Sequence, residues 1–577
     1  MPDSQTTGTW RTRALNRAHA RLSGLGRGAT AFVSQPEPRT IGMFARGRQL
    51  VAGNFLFAGH LVENGEASIW ALGVQSAAFQ AEIHGFAWLD DLAAVGDLAS
   101  RARAQAWTWD WIARYGSGKG AGWTPELTGR RLIRWINHAL FLLQNRDKAL
   151  SDQFYRSLAQ QTHFLGRRWQ ATRPGLPRFE ALTGLIYAGL SLEGMERHVK
   201  PAVKALAQEC ERQVNDEGGI PTRNPEELLE VFTLLTWAAA ALEEAGKFVP
   251  RAHFSAIERI APTLRTLRHA DGGLARFHGG GRGLEGRLDN ALAQSGVKGR
   301  SPEGLSMGYA RLSAGRTSVI VDAAAPPKGN ASHDAHASTL AFELTSGRRP
   351  LIVNCGSGAN FGEEWRRAGR ATPSHSALCI EGYSSARLAG GLGSGAELIF
   401  DAPQRVPIEM SHASDGIRFQ GGHDGWLKTH GLTHARTLEL TFDGRGMVGE
   451  DLLVCLEEAD RKRFDKRMED ALEPGIPFQI RFHLHPEVDA EVDMGGVAVS
   501  LALKSGELWV LRSEGNITMS VEPSVYLERG RLKPRATRQV VLSGMAVGHA
   551  TQVRWSISKA HETPMAIRDL KQDELPI

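Results

Sequence analysis

The segment TLELTFDG, residues 437–444, alternates polar and apolar side chains, and QIRFHLHP, residues 479–486, repeats the pattern. A period of two predicts antiparallel strands that turn one face toward a core and leave the other polar. Similar runs, from TSVIVDAA (317–324) to QVVLSG (539–544), recur at regular spacing between turn-forming residues. Many short strands with few helices predict a β-sandwich or one large sheet in this half of the chain.

The first half of the chain has a helical period instead. From about Glu82 to Arg268, apolar residues recur at helical spacing, as in LIRWINHALFLL (132–143), ALTGLIYAGLSL (181–192) and LLEVFTLLTWAAAAL (228–242). Turn-forming sequences separate these segments, which predicts antiparallel helical hairpins. Glycines at 272–273 and 279–281 mark a linker before the strands begin.

Composition bounds the function only loosely. A chain of 577 residues is too long for one hydrophobic core, and a net charge of +5 does not indicate nucleic acid or membrane binding. No run reaches the ~18 apolar residues of a membrane helix, so no transmembrane segment is expected. The four cysteines are far apart in sequence and form no CxxC pair, which predicts isolated buried thiols.

Residues 1–50 are strongly basic, with eight arginines against Asp3 and Glu37. They lack the apolar core of a secretory signal, so this end predicts no export. We expect a solvated, partly disordered arm. The alternative interpretation is a contact with an acidic partner or a membrane surface.

The segment NASHDAHASTLAFE (330–343), followed by RRPLIVNCGSG (348–358), resembles the start of the C-terminal domain in the heparinase II/III family. TPSHSALCIEG (372–382) and HDGWLKTHGLTHARTLEL (423–440) resemble later strands of that domain. GLPRFEALTGLIYAGLSLEG (175–194) agrees more loosely with the helical half, so the resemblance covers roughly residues 80–560.

The resemblance implies a multidomain α+β fold in which an (α/α) toroid of helical hairpins precedes an antiparallel β-sandwich, with the substrate in the cleft between them. The predicted division of the chain is a basic arm (1–50), a helical toroid (51–275), a Gly-rich linker (276–300), a heparinase II/III-like β-sandwich (301–560) and a C-terminal tail (561–577).

Members of this family are polysaccharide lyases that cleave beside a uronic acid by β-elimination. The reaction needs a group that neutralises the uronate carboxylate, a base that removes the C5 proton and an acid that protonates the leaving oxygen. The resemblance therefore implies an acidic polysaccharide as partner and substrate. The family suggests the cell envelope or periplasm, whereas the missing signal leaves the cytoplasm open.

Three catalytic candidates follow from the matched motifs. His333 is the nearest counterpart of the family's catalytic His, although the chain has His-x-x-His where the family has His-x-His, which puts Asp334 at the catalytic position. The family's Asn-His pair aligns with Pro177 and Arg178, and its Tyr with about Glu227. We therefore expect Arg178 to clamp the carboxylate and Glu227 to be a base, which requires a pKa raised by burial.

Five further residues are candidates for substrate binding, and a solvated surface explains each of them equally well. An aromatic ring beside an arginine can stack on a sugar and pair with its anionic groups. The candidates are Asn330, Arg223, Asn224, Trp365 and Arg366.

The family's zinc ligands map onto His336, Asn354 and His375. An amide oxygen is a much poorer zinc ligand than a carboxylate, so the sequence predicts a weakened zinc site at best. The alternative for each histidine is a hydrogen-bonded side chain of the core.

Two alternatives to a lyase remain open. One is a noncatalytic relative that keeps the cleft to bind polysaccharide. The other is a hydrolase that uses Glu180 or Glu227 with Asp334, for which the two carboxyl groups must lie about 5–10 Å apart.

Overall fold

The computed structural model describes residues 4–34, 38–65, 68–299, 304–389, 397–470 and 474–560. The predicted tail, 561–577, lies outside the described residues. Helices come first and strands follow, as the change of period predicts. In the part of the chain that the structure describes, no helix is both long enough and apolar enough to cross a membrane.

Thirteen helices of the described chain precede the large sheets, and three more lie among the strands. They are α1 (Ser4–Ser23), α2 (Phe44–Ala52), α3 (Ala77–Gly85), α4 (Ala87–Val95), α5 (Leu98–Tyr115), α6 (Pro125–Asn137), α7 (Ala139–Leu143), α8 (Lys148–Arg168), α9 (Leu176–Ser191), α10 (Val199–Gln213), α11 (Pro225–Glu244), α12 (Arg251–Thr266), α13 (Arg287–Ser295), α14 (Glu363–Gly369), α15 (Leu427–His430) and α16 (Glu458–Glu469).

Helix α9 packs against both α6 and α11. Small residues allow this: a Cβ on Gly184 of α9 would lie 2.5 Å from the Cα of Gly129 on α6, so the two backbones touch. Large aromatic side chains, among them Trp88, Trp111 and Trp135, fill the core beside them. The paired helices agree with the predicted stack of helical hairpins.

The structure adds elements that the sequence did not predict. Within the arm expected to be partly disordered, α1 packs on α8, where Gln160 donates to the carbonyl of Ala20 and Arg168 to Asn16. The arginines of α1 were compatible with this packing because one face of the helix stays in solvent. Helix α13 lies inside the predicted linker 276–300.

The described chain has twenty strands. They are β1 (Asn54–Phe57), β2 (His60–Glu63), β3 (Tyr309–Ala314), β4 (Thr317–Asp322), β5 (Phe342–Ser346), β6 (Arg349–Val353), β7 (Leu378–Ile380), β8 (Arg387–Ala389), β9 (Leu398–Asp401), β10 (Ile408–His412), β11 (Gly416–Trp426), β12 (Leu432–Thr441), β13 (Gly446–Val454), β14 (Ile476–Leu484), β15 (Val488–Asp493), β16 (Ala498–Leu503), β17 (Leu508–Glu514), β18 (Thr518–Tyr526), β19 (Arg535–Ala546) and β20 (Ala550–Lys559).

Two antiparallel eight-stranded sheets form the C-terminal half. One has the order β10-β11-β12-β13-β20-β17-β16-β15, and the other runs β18-β19-β14-β6-β5-β4-β3, with β7 also paired to β14. Phe342 and Phe482 of the second sheet pack on Trp555 of the first. The buried residues of both sheets form one core, so the predicted β-sandwich is confirmed. The cysteines are free and buried, as predicted.

A charged network is enclosed beside this core. Asp451 of β13 accepts two hydrogen bonds from Arg436, one from His434 and one from the indole of Trp555, at 2.7 to 3.1 Å. The Asp451 and Arg436 side chains have no exposed surface. Each side chain compensates the charge or polarity of the others. Removing one of them would leave a buried charge or polar group without its partner, so the network is stable only when all four are present.

Replacing Asp451 by Ala should destabilise the protein by about 3–5 kcal/mol, because it leaves Arg436 charged, buried and unpaired. Denaturant unfolding followed by tryptophan fluorescence measures the loss. The control is Glu450→Ala on the same strand, which removes only the exposed ion pair with Arg554 and should cost about 0.2–1 kcal/mol. Equal losses in both variants would contradict this account.

Candidate active site

The first turn of α11 reaches the junction of the helical and β halves. Asn224 caps the helix, since its Oδ1 accepts hydrogen bonds from the backbone N–H groups of Glu226 and Glu227 at 3.0 and 3.1 Å. Pro225 occupies the first helical position, where no donor is needed. Asn224, a candidate for substrate binding, thus acts as a helix cap that positions Glu227.

A glycine segment brings the β half against this turn. A Cβ on Gly280 would lie 2.5 Å from the Oδ1 of Asn224, and one on Gly279 would lie 2.9 Å from the Cβ of Asp334. Gly279 also has a φ of +84°, a backbone conformation that residues other than glycine rarely adopt. These glycines permit the close approach of the Asp334 loop to α11, a role beyond that of the linker predicted from sequence.

Glu227 has a strongly raised pKa at the junction. Desolvation is the main cause that raises the pKa of its side chain to about 7; the negative charges of Asp334 and Glu180 contribute to the rise, and Arg173 opposes it. Asp334 of the β half and Glu180 of α9 therefore lie within electrostatic reach of Glu227. An acid with a pKa near 7 can give or take a proton at neutral pH.

His333, Asp334 and Arg366 form a second group on the β side of the cleft. The Nδ1 of His333 lies 3.1 Å from Oδ1 of Asp334, and Arg366 donates to the carbonyl of His333 at 2.8 Å. Despite the desolvation that disfavours its charge, these two neighbours hold the pKa of Asp334 below its ordinary value. Because 57% of the Asp334 side chain is exposed, solvent weakens that effect.

Glu180 and Arg130 border the same cleft. Arg130 of α6 forms an ion pair with Oε1 of Glu180 on α9, whereas Oε2 is buried with no hydrogen-bond partner. Burial raises the pKa of Glu180, and Arg130 opposes the rise. Sequence reasoning did not identify Arg130 or Arg173. The signal for Arg130 was the spacing of Glu126, Arg130 and Arg134 on one face of an otherwise apolar helix.

Arg178 and Arg223 contribute their guanidinium groups to the architecture. Arg178 donates to Glu209 at 3.3 Å and to the carbonyl of Thr172 at 2.8 Å, behind the start of α9. Arg223 pairs with Asp322 and donates to four backbone carbonyls of the β half. Nη1 and Nη2 of Arg178 are therefore engaged by the protein and its Nε is buried, which leaves no exposed pair of donors for a substrate carboxylate.

Two of the remaining candidates lie at the surface near His333. Asn330 is exposed in the turn of helix formed by Gly329–Ser332, and Trp365 is 36% exposed on α14. Trp365 and Arg366 therefore belong to the short helix α14, which ends at Gly369. It presents a partly open ring next to the Arg366 that holds His333.

The three predicted zinc ligands are engaged in hydrogen bonds. Nε2 of His336 accepts from the N–H of Gly279 and its Nδ1 donates to Nε2 of His375, whose Nδ1 donates to the carbonyl of Ala371. Asn354 Oδ1 accepts from the N–H of Ser376 at 3.0 Å.

All four ring nitrogens are thereby satisfied without a metal. Across the described residues, no group of three His, Cys, Asp or Glu could hold an ion. The arrangement of these side chains does not fit zinc.

The raised pKa of Glu227 has a consequence for stability. The folded protein favours the neutral form of Glu227. The contribution of Glu227 to the free energy of unfolding is therefore fully present below its ordinary pKa of 4.5 and is lost as the pH rises through about 7. We expect Glu227→Gln to gain roughly 3 kcal/mol over the wild type between these pH values. Unfolding free energies at several pH values test this.

The control for that comparison is Leu228→Ala, in the next position of the same turn. Leu228 is fully buried, and neither Leu nor Ala ionises, so its loss of stability should not change with pH. A constant difference between Glu227→Gln and the wild type would show that Glu227 has an ordinary pKa.

The chain is similar in sequence to known proteins. Residues 297–556 match the family model "Heparinase II/III-like, C-terminal". FtsZ-localized protein C of Caulobacter vibrioides is 29% identical over 527 residues, which span 89% of this chain and 88% of that protein.

Solved structures share the fold over nearly the whole chain. Heparinase III superposes with a TM-score of 0.67 at 12% identity, covering 95% of this chain and 89% of the other. A mutant heparan sulfate lyase from Pedobacter heparinus gives 0.58 at 14% identity, covering 96% and 89%. At these identities the likeness shows a common fold.

Proposed function

We propose that the protein cleaves a uronate-containing polysaccharide by β-elimination in the cleft at the start of α11. The proposal starts from the match of residues 297–556 to a heparinase II/III-like C-terminal domain and from the fold shared with heparinase III. The observation that carries the proposal is Glu227, a partly buried acid in the first turn of α11 whose pKa desolvation raises to about 7. A carboxylate with that pKa is an effective base at neutral pH, at the position where the family has its Tyr.

In this mechanism Glu227 removes the C5 proton of the uronate. His333 protonates the leaving oxygen, and the Asp334 carboxylate, 3.1 Å from Nδ1, orients its ring. These two groups lie on opposite sides of the junction, Glu227 on α11 and His333 on the β half. A sugar bound between them would meet the base and the acid at once.

The carboxylate of the substrate needs a positive partner, and we propose Arg173 in place of Arg178. Arg173 is exposed and close enough to Glu227 for its charge to lower the pKa of that acid. No hydrogen bond or ion pair joins the Arg173 side chain to another described residue. Its guanidinium can therefore donate two hydrogen bonds to a carboxylate. Arg178 lacks this freedom because it serves Glu209.

Glu227→Gln should lower the cleavage rate at least about 100-fold, because the amide cannot take a proton. The measurement is the ultraviolet absorbance of the unsaturated uronate, recorded on a panel of uronate polysaccharides. The wild-type kcat/KM should rise with pH through about 7 as Glu227 ionises. The control is Glu211→Gln, exposed on α10, which should cleave like the wild type.

Two arginine variants sharpen the same assay. Arg173→Ala should raise KM with little loss of stability, whereas Arg178→Ala should destabilise the fold because Glu209 stays buried without its partner.

Retained cleavage in Glu227→Gln would overturn the proposed base. Binding of a polysaccharide without any cleavage would favour a noncatalytic, polysaccharide-binding relative.

A hydrolase is the second candidate, and one observation favours it. The environments of Glu227 and Asp334 push their pKa values in opposite directions, the pattern of an acid paired with a carboxylate. A hydrolase would produce new reducing ends without the ultraviolet absorbance of an unsaturated uronate. The rate would fall as the pH rises through about 7, because Glu227 would act as the acid.

The name of the Caulobacter relative suggests a binding function besides catalysis. We propose that this chain also associates with FtsZ. The purified full-length chain should sediment with polymerised FtsZ and remain in the supernatant with unpolymerised FtsZ. Equal sedimentation of the chain in the two samples would contradict the association, and an unrelated protein of similar mass serves as the control.

A further inference from the structure

A strongly basic surface, which we call the arginine face, lies where α1 packs on α8. Its arginines come from α1, the segment after α1, α8 and the short helical turn Glu196–His198, and they are Arg11, Arg13, Arg17, Arg21, Arg27, Arg156, Arg167, Arg168 and Arg197. None of them forms an ion pair with another described residue. The face therefore carries positive charge that the rest of the described chain does not neutralise.

Neutral side chains hold two of these arginines in place. Nε of Arg168 donates to Oδ1 of Asn16 on α1 at 2.8 Å, and Nη1 of Arg167 donates to Oγ of Ser23 at 3.3 Å. These hydrogen bonds fix the orientation of each guanidinium without cancelling its charge. An arginine that is already ordered loses less entropy when it binds an anion.

A histidine joins two further arginines of the face. Nε2 of His163 donates to the carbonyl of Arg27 at 2.9 Å, so its Nδ1 accepts from Nη2 of Arg197 at 3.3 Å. The pKa of the neighbouring His198 is lowered to about 4, mainly by burial and then by the positive charge of Arg197. A further positive charge is disfavoured here, as expected of a surface with uncompensated cations.

Part of the face is a straight row along α1. Trp10, Arg13, Arg17 and Arg21 are three or four residues apart and therefore share one side of the helix. Arg13 and Arg21 lie about 12 Å apart along the helix axis. The Trp10 side chain is 71% exposed, and an exposed indole can stack on the apolar face of a sugar ring. A row of this kind fits an extended polymer with repeated negative charges.

The use of arginine indicates the kind of anion. All the cations of the face are arginines, and the chain has no lysine before Lys119. A planar guanidinium donates two parallel hydrogen bonds to a carboxylate, which an ammonium group cannot do, whereas an anionic lipid surface attracts both residue types. The composition therefore favours a ligand with carboxylate groups. Leu22 and Leu25, exposed beside the arginines, can pack on the apolar faces of its rings.

The arginine face begins close to the cleft. Arg168, at the end of α8, precedes Arg173, the proposed partner of the substrate carboxylate, by five residues. Five residues span at most about 18 Å, so a single polymer can contact both arginines. Two contacts on one polymer raise the effective concentration of the polymer at each of them.

We propose that the arginine face binds the part of an acidic polysaccharide that extends beyond the cleft. The choice of a uronate polymer rests on the proposed function, whereas the uncompensated charge of the face does not. The proposal identifies the acidic partner that the composition of residues 1–50 left open.

The test is calorimetric titration of the full-length chain with sodium polygalacturonate, in the Glu227→Gln background so that the polymer stays intact. The triple variant Arg17→Ala, Arg21→Ala and Arg27→Ala should weaken binding at least about tenfold, because three uncompensated charges are lost. These side chains are exposed and make no hydrogen bond to a described residue, so their loss should leave the fold intact. Dextran, a neutral polymer, should not bind.

Two further variants separate the arginine face from net charge. Arg48→Ala, Arg251→Ala and Arg554→Ala together remove the same charge from exposed ion pairs elsewhere. This control should bind the polymer within about twofold of the parent, because salt screens distant charges. Replacing the three arginines of the face by Lys keeps their charge, yet should still weaken binding at least about threefold, since lysine cannot pair bidentately.

Several results would overturn the inference. These are no binding of polygalacturonate, equal binding of dextran, losses of the same size in the two alanine variants, and full retention of binding in the lysine variant. Tighter binding to phosphatidylglycerol vesicles than to the polymer would also overturn it and would identify a lipid surface as the partner. Circular dichroism checks folding, and the lysine variant suffices if the alanine variant is unfolded. Polymer binding at this face by a wild type that cleaves no polysaccharide would overturn only the proposed function.

Discussion

The ion pair of Arg223 with Asp322 joins the two halves of the molecule and sets the geometry of everything between them. Arg223 precedes the cap of α11 with a φ of +51°, and its guanidinium also donates to the carbonyls of Met307 and Gly308. Asp322 ends β4 and accepts a further hydrogen bond from Ser338 at 2.7 Å. Against the cost of its burial, Arg223 keeps the pKa of Asp322 well below its usual range. One buried charge pair thus positions Glu227 on one side and the loop of Asp334 on the other.

Much of this fold was predictable because local patterns report burial directly. In β12 the buried and partly exposed residues alternate without a break over ten positions, as the period of TLELTFDG predicts. The helical period of residues 132–143 was also correct, although the helix breaks at His138, which ends α6 and starts α7. His138 turns toward Asp90, a residue 48 positions away, and no local pattern reports such a partner.

The site was less predictable because its side chains are assigned by distant neighbours. The alignment placed Arg178 where a carboxylate clamp was expected, yet Glu209, 31 residues later, takes its guanidinium. His336 and His375 kept the positions of metal ligands, while the N–H of Gly279 took the lone pair of His336 Nε2 and the Nδ1–H of His336 took that of His375 Nε2, the two lone pairs that a metal would need. Glu227 differs from these: the sequence could state that a base there needs a raised pKa, and desolvation in the structure raises that pKa to about 7, while its catalytic role stays a prediction.

The position of β20 has a consequence for how the protein is made. This strand, Ala550–Lys559, lies in the interior of its sheet, between β13 and β17. During synthesis the helical half leaves the ribosome about 250 residues before β20 does, so the sheet has an open central gap until β20 arrives. Closing that gap pairs residues of β13 and β20 that are about 100 positions apart, which is slow. Until β20 is synthesised, the surface with which the helical half contacts the β half lacks its complete partner, and this is the stage at which the chain is most exposed to aggregation.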